Sequence, residues 1–333
     1  IHPLLNKKHF AKRRKRVLAA LGETALAIIP ASSEQLRNRD THFPFRQSSD
    51  FRYLTGFDEP DAFLVLAPKH TEGSSILFVR PRDPAREQWD GRRSGVAGAL
   101  KDYGVDQAFT LDELDAKLPE LLAGREQVFA PLGEDMGFAG RMFGWLAAVR
   151  RLQRAGVKAP GGWLDSAPLL HEMRLFKDED ELQVLREACR ISELGHVAAM
   201  HACHPGAAEY ALEAELLHTF RQHGGEAAFP SIVAGGQNAC ILHYTENRGR
   251  LKKGELVLVD DSGEHLLTPG MCAGFKAGNG NGHCLKNLTD KRAVYLEVGS
   301  RKEGEKAHYS DIDMKAVAVD GSYRFVHKDG SSF

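Results

Sequence analysis

The sequence lacks any hydrophobic run able to cross a bilayer. Its longest, such as 25–31 and 62–67, fall far short of the ~18 apolar residues a spanning helix needs. It has no charge excess either: 44 Lys+Arg against 45 Asp+Glu leave a formal net charge of -1, so no nucleic-acid field follows from the overall balance. Cysteine is scarce, and Cys189, Cys203, Cys240, Cys272 and Cys284 never fall in a C-x-x-C spacing. That excludes a disulfide framework or a thiolate zinc cluster and predicts reduced, mostly buried thiols. The N-terminus has no signal-type apolar core, since basic residues from Lys7 to Arg16 precede only a short apolar run. Repeats and low-complexity tracts are absent. These absences predict a cytoplasmic protein with no membrane and no nucleic-acid partner. The chain opens on Ile1 rather than Met, which suggests residues missing upstream. What is present is 42% hydrophobic content over 333 residues, enough for roughly two domains of about 150 residues.

Short runs of β-formers at 24–29, 62–66, 75–79 and 127–130 alternate with helix-like segments at 111–122 and 138–153, which describes an α/β domain. The basic stretch 7–16 has apolar residues at near-helical spacing and reads as a solvated helix face in preference to a nucleic-acid arm. The Gly- and Pro-dense stretch 155–162 predicts a linker, placing a first domain at 1–160. Beyond it, Asp178 and Glu181 form a capping-box pattern ahead of a helix whose apolar face runs through Leu182, Leu185, Cys189 and Ala199. Pro205 and Gly206 end it, and a second helix carries Leu212, Leu216 and Phe220, with Gly224 as its stop. Strands are predicted at 231–234, 240–243 and 256–259. From Ser262 on, glycine becomes frequent and short β-type runs at 293–298, 316–319 and 323–326 replace helical periodicity.

Four motifs carry a resemblance. Residues 43–57 (FPFRQSSDFRYLTGF) and 89–93 (WDGRR) resemble the N-terminal domain of bacterial Xaa-Pro aminopeptidases, the aminopeptidase P family. Residues 171–177 (HEMRLFK) look like the entry to that family's catalytic pita-bread domain, and 241–247 (ILHYTEN) resemble its substrate-side strand. The resemblance covers about residues 10–260. It implies an α/β creatinase-like N-terminal domain followed by an α+β pita-bread domain, here incomplete and spanning 161–260. It also implies a dinuclear metal hydrolase, usually manganese, that removes an N-terminal residue preceding proline. Two ions would hold a bridging hydroxide and polarise the scissile carbonyl. The family's ligands are Asp, Asp, His, Glu and Glu. Only the first has a counterpart, Asp260 at the end of GELVLVD. Met271 stands where the second Asp is expected, and the stretch after Asp260 is too short for the rest.

Residues 270–287 (GMCAGFKAGNGNGHCLKN) with 295–299 (YLEVG) resemble the second half of a small cupin, so that 261–333 reads as a short all-β cupin-like tail. His283 and Asn287 match the cupin His-x-x-x-Asn spacing, but Lys276 replaces the usual Pro and the first cupin motif is missing. The stretch 254–260 fits either parent and is inferred to be the joint of a hybrid.

The candidate site residues each have a plainer reading. Asp260 is a metal ligand or, preferred because one carboxylate cannot hold a metal pair, a turn Asp beside Asp261, Ser262 and Gly263. His283 is a metal ligand or, preferred, a loop histidine. His243 resembles the family's catalytic-site histidine near the substrate, its chemistry stranded without metals. Trp89 resembles a substrate-binding residue offered to a neighbouring subunit's site, or is simply partly buried; the two stay open. His201, His204, His218 and His223 read as surface histidines. The expectation is therefore a relative of the Xaa-Pro aminopeptidases, acting on proline-containing peptides if active but catalytically incompetent as written. A non-catalytic binding protein, oligomeric through its N-terminal domain, or an unstable fusion are the alternatives.

Overall fold

The computed structural model describes residues 5–71, 73–252, 256–260, 263–267, 283–286, 306–308, 313–319 and 322–331. The chain divides into two compact units, Ile1–Val184 and Leu185–Phe333. In the first, α1 (Lys7–Leu21) leads into β1 (Ala25–Pro30), a small antiparallel pair β2 (Leu36–Asn38) and β3 (Thr41–His42), and α2 (Ser49–Thr55). Then come β4 (Phe63–Leu66), β5 (Ser75–Val79), α3 (Pro84–Asp90), α4 (Gly95–Tyr103) and β6 (Gln107–Thr110). The unit closes with α5 (Leu114–Leu122), β7 (Gln127–Ala130), α6 (Met136–Arg151), β8 (Gly162–Asp165) and α7 (Ala167–Leu175). Six strands form one mixed sheet in the order β6-β5-β4-β1-β7-β8.

Alternation along the central strands sorts the core into two layers. Ala27 and Ile29 of β1, Leu64 and Leu66 of β4, and Leu77 and Val79 of β5 pack with Val17, Phe51, Leu54 and Met173 on one face. Leu26 and Ile28, Val65, and Ile76 and Phe78 pack with Leu114, Leu118, Phe138 and Trp145 on the other. Both faces of the sheet are covered by helices, as an α/β reading requires. The predicted strands at 24–29, 62–66, 75–79 and 127–130 match β1, β4, β5 and β7 to within a residue or two.

Two expectations for this unit fail. The stretch 155–162 does not end it: β8 follows directly, pairs in parallel with β7 from Gln127↔Gly162 to Ala130↔Asp165, and α7 then adds Leu170 and Met173 to the core. Turn chemistry marked a bend inside the unit, not a boundary at 160. The basic segment is only in part the solvated face expected: Lys7, Lys8, Lys12, Lys15 and Arg16 are exposed, but Arg13 and Arg14 are buried. Arg13 donates to the Tyr53 carbonyl (3.0 Å) and Arg14 to the carbonyls of Leu54 (2.9 Å), Tyr103 (3.2 Å) and Gly104. These are the orphan acceptors at the C-terminal ends of α2 and α4, and the two guanidinium groups satisfy them from a third helix. Burial pulls the Arg14 pKa down to about 10, against an opposing pull from Asp106.

Helix α8 (Glu179–Ala202) continues into the second unit, which holds α9 (Glu209–Gln222) and strands β9 (Leu256–Asp260), β10 (Gly263–Leu267), β11 (His283–Lys286), β12 (Lys306–His308), β13 (Lys315–Val319) and β14 (Ser322–Val326). The capping box at the start of α8 is present: Asp178 N–H donates to Glu181 and Glu181 N–H to Asp178, both at 3.0 Å. The apolar face predicted for α8 is not its covered one: Leu185 and Cys189 are exposed and Leu182 and Ala199 half-buried, whereas the buried residue is Gly195, against Phe220 and Leu216 of α9. Cys240 is exposed and Cys203 half-buried, so these thiols are not the buried set expected. The β-runs at 316–319 and 323–326 are β13 and β14, an antiparallel pair, whereas 293–298 lies outside the described residues. No helix among the described residues is long and apolar enough to cross a membrane.

Candidate functional site

The 241–247 motif is not a strand. Residues 231–235 are irregular, Gly236–Cys240 is a 3₁₀ turn, and the chain then loops to Arg250, which bridges back to Ala208. A buried carboxylate takes the place of a sheet ladder. Glu209, the first residue of α9, is 1% exposed. It accepts hydrogen bonds from Gly235 N–H (2.7 Å), Asn238 Nδ2 (3.0 Å), the Tyr244 hydroxyl (2.8 Å) and Gly249 N–H (2.7 Å). Burial alone raises its pKa, but these four donors outweigh burial and hold the carboxyl below the ordinary glutamate value. Gly249 is required here: a Cβ would lie 2.7 Å from both Glu209 Oε1 and Asn238 Nδ2.

Asn247 is the second anchor. Buried, and left-handed at φ 49°, it donates to Glu213 and to the Ser231 carbonyl, both at 2.9 Å, while its Oδ1 accepts from Val233 N–H at 3.0 Å. The N–H groups of Val233, Gly235 and Gly249 are therefore satisfied by side chains, which is why β-prone residues form no strand here. Tyr244 and Asn247 point inward, and His243 between them and the 3₁₀ turn is exposed, with Ile241 and Leu242 exposed beside it. An imidazole displayed this way can give or take a hydrogen bond with a ligand without disturbing the cage beneath it.

Asp260 ends β9 and His283 opens β11, and antiparallel pairing makes the two register partners; Asp260 also pairs with Gly263 of β10. His283 is thus a strand residue rather than a turn histidine. Trp89 lies in the other unit, on the last turn of α3 and 86% exposed, so the reading of partial burial falls. His201, His204, His218 and His223 are exposed, as expected.

The first unit contains one further cluster. His9, buried on α1, sets Nδ1 3.0 Å from Asp180 and Nε2 3.4 Å from Asp178, the one group of three His, Cys, Asp or Glu side chains among the described residues whose ligand atoms converge within 4.8 Å. Its two nitrogens face different carboxylates, and Arg13 lies 3.9 Å from the same Asp178 oxygen and 3.0 Å from Glu181. The Arg13 guanidinium already stands against the acidic start of α8. The cluster is a clasp between α1 and α8 rather than an open cation site.

Glu209 and its relation to Tyr244 went unseen in the sequence. An acid at the first position of a helix is commonplace, and only its burial distinguishes it.

The comparisons with known proteins agree with this architecture. Residues 10–129 match the family described as aminopeptidase P, N-terminal domain, and residues 183–267 match metallopeptidase family M24. Xaa-Pro aminopeptidase of Escherichia coli is 40% identical over 265 residues, 78% of this chain and 60% of that protein. Human Xaa-Pro aminopeptidase 3 is 30% identical over 284 residues, 78% of this chain and 53% of that one. The solved structure of Pseudomonas aeruginosa aminopeptidase PepP superposes with a TM-score of 0.74 at 42% identity, covering 80% of this chain and 59% of that one. Proline aminopeptidase P II from Yersinia pestis gives 0.72 at 41%. The chain thus spans about 60% of the length of these bacterial relatives. The chain therefore carries an aminopeptidase P N-terminal domain followed by a partial metallopeptidase M24 domain, and is a homologue of the Xaa-Pro aminopeptidases.

Proposed function

We propose that the family reaction, metal-dependent removal of an N-terminal residue preceding proline, is the chemistry this fold serves, and that the polypeptide as written does not turn over. The single observation behind this reading is the caged loop. Glu209 and Asn247 hold the 235–249 segment so that His243 faces outward, a built platform for a peptide substrate. The metal half does not match it. Hard divalent ions in a pair take an oxygen-rich set of carboxylates and imidazoles. Asp260 and His283 are register partners on neighbouring strands, and Met271 occupies the position where the resemblance expects the second Asp. One carboxylate and one imidazole do not fit a manganese pair, so no hydrolytic step is assigned.

In this reading His243 hydrogen-bonds a proline-containing peptide, Trp89 offers an exposed ring to the site of a neighbouring copy, and the protein works in the cytoplasm. The division at 260 and the cupin-like character of 261–333 belong to the same proposal. The test is a peptidase assay on the purified chain with an Xaa-Pro peptide and added manganese, alongside metal analysis of the dialysed protein. The expected result is no manganese-dependent release and less than one bound ion per chain. Manganese-dependent release that scales with protein and disappears in His243→Ala would overturn it.

A further inference from the structure

The first unit holds a cleft unrelated to the caged loop. Residues 11, 14, 15 and 18 recur at helical spacing and turn one face of α1 toward the start of β5 and the turn between α4 and β6. The space between is about 280 Å³, walled by Arg14 and Lys15 on the helix side and by Ser74, Gly104 and Asp106 on the other. Ala11 and Leu18 supply its apolar surface. It is smaller than the ~300–1,000 Å³ of sites for drug-sized molecules, and suits a ligand of amino-acid size.

Both walls carry charge that the protein leaves incompletely answered. Arg14 is 2% exposed, and its described acceptors are three neutral carbonyls, all reached through its two Nη atoms; Nε has no acceptor among the described residues. Lys15 is exposed and joins no ion pair among the described residues. Across the cleft Asp106 is held by the Ser74 N–H (2.9 Å), the Ser75 N–H (2.8 Å) and the Ser75 hydroxyl (2.9 Å). All three donate to Oδ2, so this carboxylate is fixed at one oxygen while Oδ1 has no donor among the described residues. Two cations on one wall and a carboxylate on the other disfavour a simple anion and a simple cation alike. A molecule with both signs on neighbouring atoms complements both walls.

We propose that this cleft binds a free α-amino acid with a small apolar side chain, its carboxylate on Arg14 Nε and Lys15, its ammonium on Asp106 Oδ1 and its side chain against Ala11 and Leu18. Each end of the ligand makes charge-assisted hydrogen bonds. Lys15 and Asp106 stay open to solvent, which screens them and sets the affinity at about 1 mM. The site lies wholly within the first unit and is independent of any peptidase activity.

The test is amide NMR of the full chain titrated with L-valine. The signals of Ser74, Gly104 and Asp106 should move and saturate with a Kd of about 1 mM. N-acetyl-L-valine lacks the ammonium and L-valinamide the carboxylate, and each should bind at least about tenfold more weakly. Lys15→Gln should weaken L-valine about threefold with the melting temperature unchanged. Asp106→Asn keeps the oxygen that Ser74 and Ser75 use, and should bring N-acetyl-L-valine level with L-valine. No movement with L-valine up to about 50 mM, equal binding of both capped forms to the wild type, or inorganic phosphate moving the same amides as strongly would overturn the proposal.

Discussion

Replacing Glu209 probes the loop that carries His243 more directly than replacing His243 itself. Four donors converge on this carboxylate: the amides of Gly235 and Gly249, the Asn238 amide and the Tyr244 hydroxyl. Hydrogen bonds to a charged acceptor are worth about 1.5–3 kcal/mol each, with strong non-additivity. The two backbone amides cannot rotate toward water as side chains can, so Glu209→Ala should cost about 3–5 kcal/mol locally. Glu209→Gln is nearly as damaging. Gly235 and Asn238 donate to one oxygen while Gly249 and Tyr244 donate to the other, so whichever becomes an NH₂ group faces a donor at under 3 Å. Because the folded-state pKa is lowered, the carboxylate's stabilisation is complete above the unfolded value of about 4.3 and is lost as pH falls through the folded one. The Gln variant should remove that part of the acid limb. Amide exchange at Gly235 and Gly249 measures the effect, with protection expected to fall about a hundredfold or more. Unchanged exchange at both glycines in Glu209→Gln would refute the claim that this carboxylate holds the loop.

The first unit offers two further tests. Gly56 caps α2 in the left-handed region (φ +65°), and a Cβ there would lie 2.4 Å from the Phe10 ring, so Gly56→Ala combines backbone strain with a clash and should destabilise by about 2 kcal/mol or more in urea unfolding. Arg14→Met would strip three carbonyls at the ends of α2 and α4 of their donor while relieving a buried cation. A net loss of about 2–4 kcal/mol, with Arg14→Lys intermediate, is expected, and a loss within about 0.5 kcal/mol would show that water replaces the guanidinium.

Most of the first unit's fold was legible because its strands obey a strict period. β1, β4 and β5 alternate between two core layers, and each run is bounded by turn chemistry. The same local reading failed at 155–162. Glycine and proline report a bend in the chain, but whether another strand joins the sheet afterwards depends on Val128↔Trp163 pairing, which no local signal carries. It failed again at Arg13 and Arg14. A run of basic residues on a short helix ordinarily means solvent, and only the distant ends of α2 and α4, 40 to 90 residues away, supply the carbonyls that draw them inside.

The site was legible as a motif and illegible as a structure, for one physical reason. Residues 231–243 are β-prone, and propensity reads them as strands. The N–H of Val233 goes instead to Asn247 and those of Gly235 and Gly249 to Glu209, side chains that sit far along the chain or in an unremarkable helical position. A buried carboxylate accepting four hydrogen bonds fixes a loop more tightly than a two-stranded edge would, because removing it leaves several donors unpaired at once. The conformation that displays His243 is therefore set by residues with no chemistry of their own. It is present whether or not a metal set is completed beyond Asp260. In the function proposed above, catalysis and the peptide-facing surface are for that reason separable, and binding of proline-containing peptides without turnover is the outcome that proposal expects.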